Sequence, residues 1–258
     1  METNFHTHTT RCRHASGSDR AYVEQAIESG LKVLGFSDHS PYFFEGDYYS
    51  TFRMRPEEAE GYVDSILAMR REYQDDIDIR LGFETEYYPR FFEKLIRFYE
   101  QYPVDYIILG QHCLGNEVEG DYSGAPHYGN DSFMQYVNQV IEAMETGCFT
   151  YVAHPELFNF FGEQQYFEEA AHKLCDRAAQ LSIPLEINLL GMRDGRNYPR
   201  RDFFEIAAQH GCDVIIGCDA HSPDMVCDRG SEKIALKWCE ELKLHRIEYP
   251  VLRRPQLR

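Results

Sequence analysis

Two histidines one residue apart, His6 and His8 in Thr3-Asn4-Phe5-His6-Thr7-His8, are the first residues of this chain whose spacing points to chemistry. Side chains two apart on a strand share a face, so both imidazoles address one point while Phe5 and Thr7 face the other way. In a chain with 11 histidines such a triplet also arises by chance. Its company decides the reading. Histidines and carboxylates recur wherever an apolar run ends, in Ser37-Asp38-His39, Gly82-Phe83-Glu84, Gly110-Gln111-His112, Ala153-His154-Pro155 and Cys218-Asp219-Ala220-His221, and His14 stands in the polar loop after His8. Imidazole and carboxylate donors suit borderline divalent ions such as Zn, Mn or Fe, and so many imidazoles disfavour Mg and Ca. A carboxylate shared by two such ions holds them about 3.5 to 4 Å apart, where they clamp the attacking and leaving oxygens of a displacement at phosphorus. A small phosphomonoester is the natural substrate of that arrangement.

Carrying these donors to one place requires strands that end together. Beyond the first strand, apolar runs predict strands over 31–37, 77–83, 106–110, 149–153, 184–188 and 214–217. Helices are expected from the Ser18 N-cap to the Gly30 stop, and over 56–73, 91–102, 133–146, 166–181, 201–210 and 230–242. Seven strands thus alternate with seven helices, without linker or low-complexity segment. Right-handed crossovers either close such a series into a barrel or wind it into an open sheet. Closure fits better, because in an open sheet the outer exits lie too far apart to share one centre. The expectation is an α/β fold, a closed or nearly closed seven-stranded β/α barrel forming one domain over 1–258, with no strand in the charged, proline-containing tail 246–251. The aromatic loop 41–52 is expected to fold over the strand exits as a wall or lid.

Composition narrows the partners. A net charge of -17 is far from the basic face that nonspecific nucleic-acid binding uses. No run of 18 apolar residues exists and the start is polar, so neither membrane insertion nor a signal segment is expected and the chain reads as cytoplasmic. Nothing in the sequence sets the oligomeric state. Eight cysteines without a CxxC pair read as packing thiols rather than a disulfide scaffold or zinc knuckle, including Cys12, Cys113 and Cys218 beside candidate ligands.

The order of motifs, His6-Thr7-His8, His14, Ser37-Asp38-His39, Glu84, His112, His154-Pro155 and Asp219-Ala220-His221, resembles the polymerase and histidinol phosphatase (PHP) superfamily over residues 3 to 224. The stretches 12–17, 35–41 and 216–221 resemble its monofunctional histidinol-phosphatase branch. That resemblance implies a distorted seven-stranded barrel with three clustered metal ions hydrolysing L-histidinol phosphate to L-histidinol and phosphate in histidine biosynthesis. It implies His6, His8, Glu84 and Asp219 on one ion, Glu84 bridging to a second held by His112 and His154, and His14, His39 and His221 on the third. The branch commonly has serine where Cys218 stands, a position that is not a ligand.

Roles beyond the ligands are expectations from residue type. Arg193, in Leu190-Gly191-Met192-Arg193, is expected on the phosphate because its planar fork matches phosphoryl oxygens, whereas Arg196 reads as a surface arginine. Asp219 and His221 are candidates for protonating the leaving oxygen. Glu117, with Glu119 and Asp121 beside it, is expected to receive the substrate's ammonium group, and Tyr42, Phe43 and Phe44 to pack on its imidazole. Asp38 either binds backbone or orients a ligand imidazole, Asn188 either satisfies its loop or acts directly, and Glu86 reads as a solvated charge. His127 stays open between the two uses, and His172, His210 and His245 read as surface residues. The competing classes are a metal-dependent amidohydrolase, a phosphoesterase for another phosphomonoester or a nucleotide, and a non-catalytic metal-binding barrel. The amidohydrolase fits less well, because Asn188 stands where that class places a histidine.

Overall fold

The computed structural model describes residues 1–257 and sets the anticipated strand exits around one rim. Among the described residues seven strands are formed: β1 (Thr3–Asn4), β2 (Val33–His39), β3 (Asp78–Thr85), β4 (Tyr106–Leu109), β5 (Leu185–Asn188), β6 (Asp213–Gly217) and β7 (His245–Arg246). All pair in parallel, β1 to β4 in one ladder and β5 to β7 in another. Val152 joins the two ladders by bridging to Leu109 and to Leu185. The other edges meet at the rim, where the His8 amide donates to the Ala220 carbonyl at 2.9 Å and the Ala220 amide to His6 at 3.1 Å. At the opposite end β7 pairs with β6, and the Thr3 hydroxyl donates to the Glu248 carbonyl at 2.6 Å. The result is the expected distorted seven-stranded β/α barrel.

Its membership differs from the expectation in two places. The segment 149–153 is buried and hydrogen-bonded on both sides, yet it bridges each neighbour through Val152 alone and builds no ladder. A short strand forms just where the tail begins, β7 taking in Arg246 but none of 247–251. Only two residues are needed, because β7 fills the gap that opens between β6 and β1 below their contact at the rim.

Helices α1 (Asp19–Glu28), α2 (Ala59–Glu72), α3 (Pro89–Tyr99), α4 (Asn130–Glu145), α5 (Gln164–Leu181), α7 (Arg201–Gln209) and α8 (Arg229–Leu242) lie close to their expected positions. The Ser18 hydroxyl accepts from the Ala21 amide at 3.2 Å, and Gly30 follows the helix with φ of 80°. α3 shows how such an element is fixed. Pro89 presets its first turn, and Phe91, Phe92, Leu95, Ile96 and Tyr99 form one buried stripe. Each such side chain contributes about 1.5–3 kcal/mol by leaving water. An unanticipated helix, α6 (Leu189–Asp194), follows β5 directly, with the Asn188 side chain accepting from the Gly191 amide at 2.9 Å as its N-cap.

Most of the core lies between strands and helices. A second, smaller cluster of Phe5, Val33, Tyr106, Ile108, Tyr151, Ala153 and Ile215 fills the barrel interior. The Tyr106 hydroxyl donates to the carbonyls of Phe5 and Phe36, at 2.8 and 3.1 Å, which ties this floor to β2 beneath the rim. No helix among the described residues is long and apolar enough to cross a membrane.

Candidate metal centre

Glu84, next to last in β3, is in register with His39 at the end of β2, so the strand pairing alone sets these two side by side. Around the Glu84 carboxylate stand His154 Nε2 at 2.8 Å, His39 Nδ1 at 3.0 Å, His8 Nε2 and His112 Nε2 each at 3.5 Å, and His6 Nε2 at 3.6 Å. Asp219 Oδ1 lies 3.1 Å from His8 Nε2, 3.5 Å from His6 Nε2 and 3.4 Å from His221 Nδ1, and His221 Nε2 is 3.0 Å from His14 Nε2. Every residue expected as a ligand from the sequence therefore stands in one cluster.

The test of whether cations fit is the state of the donor atoms. His6 Nε2, both ring nitrogens of His8, His39 Nδ1, Glu84 Oε2 and Asp219 Oδ1 are buried without a hydrogen bond. Buried polar atoms are almost always satisfied, so a convergent set of orphaned lone pairs is a cradle for positive charge. His6, His8 and Asp219 form one group able to hold an ion, His14, His39 and His221 another, and His6, Glu84 and His154 a third. The protein thus carries several overlapping candidate sites of a polynuclear centre. His154 and Asp219 both hold φ in the left-handed region, at 31° and 49°, a strained conformation for residues with a Cβ that recurs at functional sites.

Residues behind the donors aim them. Glu186 in β5 is buried, with Oε1 2.8 Å from His6 Nδ1 and Oε2 accepting from the His154 amide at 3.1 Å and from Asn188 Nδ2 at 2.9 Å. Asn188 also donates to Asp219 Oδ2 at 3.1 Å, so it serves both its helix and the cluster. Asp38 accepts from the His39 amide at 2.8 Å, the backbone role expected of it, while its Oδ1 stands 3.6 Å from His8 Nδ1, beyond hydrogen-bond distance. Glu86 is no solvated charge. It is buried, 2.8 Å from His112 Nδ1, because the chain leaving β3 turns inward rather than out to solvent. Glu186 was missed altogether; a carboxylate inside the apolar run Leu185-Glu186-Ile187 was its signal, since a charge buried in a strand needs a partner.

Protonation within the cluster is partitioned by neighbours. Burial disfavours the charged form of Asp219, yet His6 and His8 outweigh it and hold that carboxyl well below its usual range. Glu84 is likewise held low against burial, chiefly by His112, His39 and His6. His8 is raised to about 9 despite burial, by Asp219 and Asp38, and burial together with that neighbouring charge pushes His221 down to about 3. Metal ligation requires neutral imidazoles and ionised carboxylates, so cation binding to this cluster releases protons.

Just behind His154, Glu156 is buried with Oε1 accepting from the Arg200 amide at 2.8 Å and Oε2 unpartnered. Burial raises its carboxyl from an ordinary 4.5 to about 8. Between those values the folded chain holds a proton that the unfolded chain has released, so stability falls as pH rises through the window, by at most about 1.4 kcal/mol per pH unit. Urea melts of chelator-treated protein from about pH 5 to about pH 8 are expected to show that decline in the wild type and a flatter one in Glu156→Gln.

Comparison with known proteins decides the family. The PHP domain pattern matches residues 4–189. A probable histidinol-phosphatase from Deinococcus radiodurans is 30% identical over 240 residues, covering 89% of this chain and 90% of that one. The chain belongs to the PHP domain family. A probable histidinol-phosphatase from Schizosaccharomyces pombe is 25% identical over 253 residues, 88% of this chain and 82% of that one. The same fold is seen in the crystal structure of histidinol phosphate phosphatase from Lactococcus lactis complexed with zinc, L-histidinol and phosphate, with a TM-score of 0.76 and 18% identity over 99% of this chain and 98% of that one.

Above the PHP centre opens a cavity of about 610 Å³, lined by Glu84, Asp219, His14, His39, His112, His154 and His221 together with Thr51, Phe52, Tyr122, Leu190, Arg193, Asp194, Arg196 and Tyr198. Arg193 is brought there by α6, which was too short to show a helical period. Arg196 is exposed, as expected, and also lines the same cavity, because the chain turns back after Gly195. The other expected substrate contacts are corrected. Tyr42 lies beside Tyr88 with its hydroxyl bonded to the Glu86 carbonyl, and Phe43 packs edge-on against Phe98, so both serve the core instead of the cavity. Phe44 likewise packs edge-on against Phe91. Glu117 is consumed by Arg53, at 2.6 Å, and by the Tyr48 hydroxyl at 2.9 Å. The aromatic loop does form a wall of the cavity, through Phe52, and the carboxylate beside the arginines is Asp194. His127 stacks on Phe158 and bonds the Tyr122 carbonyl at 3.0 Å, steadying the loop that carries Tyr122. His172 and His210 pair with each other at 2.9 Å, and His245 pairs with Asp213 at 2.6 Å, all away from the centre.

Proposed function

We propose that this protein is a histidinol-phosphatase that hydrolyses L-histidinol phosphate to L-histidinol and phosphate with three divalent ions, Zn, Mn or Fe, bound in the PHP centre. The observation that carries this is the set of orphaned imidazole and carboxylate atoms beneath a cavity holding two arginines and a carboxylate. The names of the Deinococcus and Schizosaccharomyces relatives, similar over nearly the whole chain, support the choice of substrate. His6, His8, Glu84 and Asp219 would hold one ion, Glu84, His112 and His154 a second, and His14, His39 and His221 the third. When bound, these ions supply an activated water at neutral pH and neutralise charge on phosphorus-bound oxygens.

The chain's own residues do the rest. Arg193 and Arg196 approach the cavity from one side, where their forks bind and orient the phosphoryl group. Asp219 and His221 lie beside each other on the rim, but with the carboxyl held ionised and the imidazole neutral neither carries the proton that the departing histidinol oxygen takes up, and water in the cavity supplies it. Asp194 stands 3.3 Å from Arg193 Nε and 3.6 Å from Arg196 Nη2 and so holds the two arginines together, and Phe52 and Tyr122 offer faces that flank the substrate imidazole and exclude water.

Arg193→Ala is expected to lower kcat/KM for L-histidinol phosphate by about 2–4 kcal/mol and to weaken inhibition by inorganic phosphate in parallel, with metal content unchanged. Unaltered turnover and phosphate inhibition would return Arg193 to a structural role. Rates of the wild type with L-histidinol phosphate, a nucleotide phosphodiester and an N-acyl amino acid test the proposal against its rivals. Preference for either of the last two would reject it.

A further inference from the structure

Arg53 is the largest of the fully buried side chains, only 1% exposed, and it lies outside the cavity and the ligand set. All five of its N–H donors are used. Nη1 donates to the Ser40 carbonyl at 2.7 Å and Glu86 Oε2 at 3.0 Å, Nη2 to Glu86 Oε1 at 2.8 Å and Glu117 Oε2 at 2.6 Å, and Nε to Glu117 Oε2 at 2.9 Å. Its guanidinium also lies over the rings of Phe52, at 4.4 Å, and Tyr42, at 5.3 Å. Three separate segments therefore meet on one cation: the loop after β2, the exit of β3, and the loop after β4 that carries Glu117 and Tyr122.

A buried cation with two carboxylates is not the cheapest way to fill this space. Apolar residues of similar volume usually stabilise a fold as well or better, so a complete ionic network is more informative about orientation than about stability. What it orients is visible at its inner end. Glu86 Oε1, held by Arg53 on one side, is 2.8 Å from His112 Nδ1 on the other, and this leaves His112 Nε2 turned to Glu84 at 3.5 Å. At its outer end the neighbouring Phe52 packs edge-on against His39 and His112, at ring distances of 5.3 and 6.2 Å, and forms a wall of the cavity.

We propose that Arg53 is a positioning residue for the PHP centre, clamping Glu86 and Glu117 together so that the His112 imidazole is aimed at the ion beside Glu84 and Phe52 is held over the cavity. This rests on His112 being a metal ligand, as in the function proposed above. Removing the clamp frees the His112 ring to rotate, and partners of that kind change metal affinity by about tenfold to hundredfold. The effect is selective, because the other donors do not touch Arg53 or Glu86.

The test is zinc binding by the full chain in competition with a chromophoric chelator, without substrate. Arg53→Met is expected to weaken one zinc equivalent by about tenfold or more while the others keep wild-type affinity. Glu86→Gln is expected to weaken the same equivalent and decides the matter if Arg53→Met does not fold. Glu117→Gln, which loosens Arg53 from one side and leaves Glu86 on His112, is expected to weaken the same equivalent, by less than Arg53→Met does, and no other. Wild-type affinity at all equivalents in folded Arg53→Met and Glu86→Gln overturns the proposal, and so does uniform weakening of all equivalents, which is what a merely structural defect produces. The zinc readout is independent of the substrate: a wild type inert towards L-histidinol phosphate with a selective zinc loss in these variants would reject the proposed function and leave this inference standing.

Discussion

Glu84→Gln is expected to lower turnover at least about 100-fold and to release bound metal, the largest effect of any single conservative change in this chain. Glu84 is 1% exposed and its two oxygens face five imidazoles, a share of the cluster that no other residue has. Glutamine keeps the size and removes the charge and one candidate metal-binding oxygen, so with the ligand set proposed above two ions would lose the carboxylate they would share. Space for the carboxylate is made just past the end of the neighbouring strand β4: a Cβ at Gly110 would stand 2.0 Å from Glu84 Oε1, so Gly110→Ala displaces the same group by another route. A solvated carboxylate contributes less than about 0.5 kcal/mol. Glu86, buried against His112, is no such control; Glu93, exposed on α3 and paired with Arg97, is. Turnover and metal content measured side by side for Glu84→Gln and Glu93→Gln check the expectation, and a Glu84→Gln enzyme with near-normal rate and full metal would remove the shared carboxylate from the account.

The second large effect is expected at Glu186, which is not itself placed on a metal. It holds His6 through Nδ1 and His154 through its backbone amide, and so fixes two donors on different strand exits. Glu186→Gln is expected to raise the metal concentration for half-maximal activity by about tenfold to hundredfold. Gly217→Ala should reproduce the defect without touching the carboxylate chemistry, because its Cβ would lie 1.9 Å from Glu186 Oε1, in a strand too tightly packed to yield. Metal titrations of activity for both variants provide the check. A wild-type response in both would mean that His6 is aimed by its strand alone.

These two residues also mark where the sequence was legible. The barrel could be read because its strands are apolar runs that end in donors, and a donor at each run's end remains at the rim even when the strand boundary shifts, as it did from 31–37 to Val33–His39. Residues behind the donors were hidden for the opposite reason. Glu186 and Glu86 act through contacts distant in sequence, with His6 and Arg53, and no local period encodes a partner 180 or 33 residues away. Substrate-side expectations failed where aromatic residues were read by type alone: Tyr42 and Phe43 found buried ring partners in the core, whereas Phe52 from the same loop reached the cavity. β7 was illegible because two paired residues suffice there, and α6 because six residues cannot display a face.

The central claim is that a polynuclear metal centre on this rim hydrolyses L-histidinol phosphate. Its most direct test is phosphate release from that substrate while Zn, Mn or Fe is titrated back into chelator-treated protein and bound metal is counted. Release should be absent without metal and should rise to its plateau as about two to three equivalents bind. Full activity with less than one equivalent bound, or no phosphate release from protein carrying its full metal complement, would contradict the account.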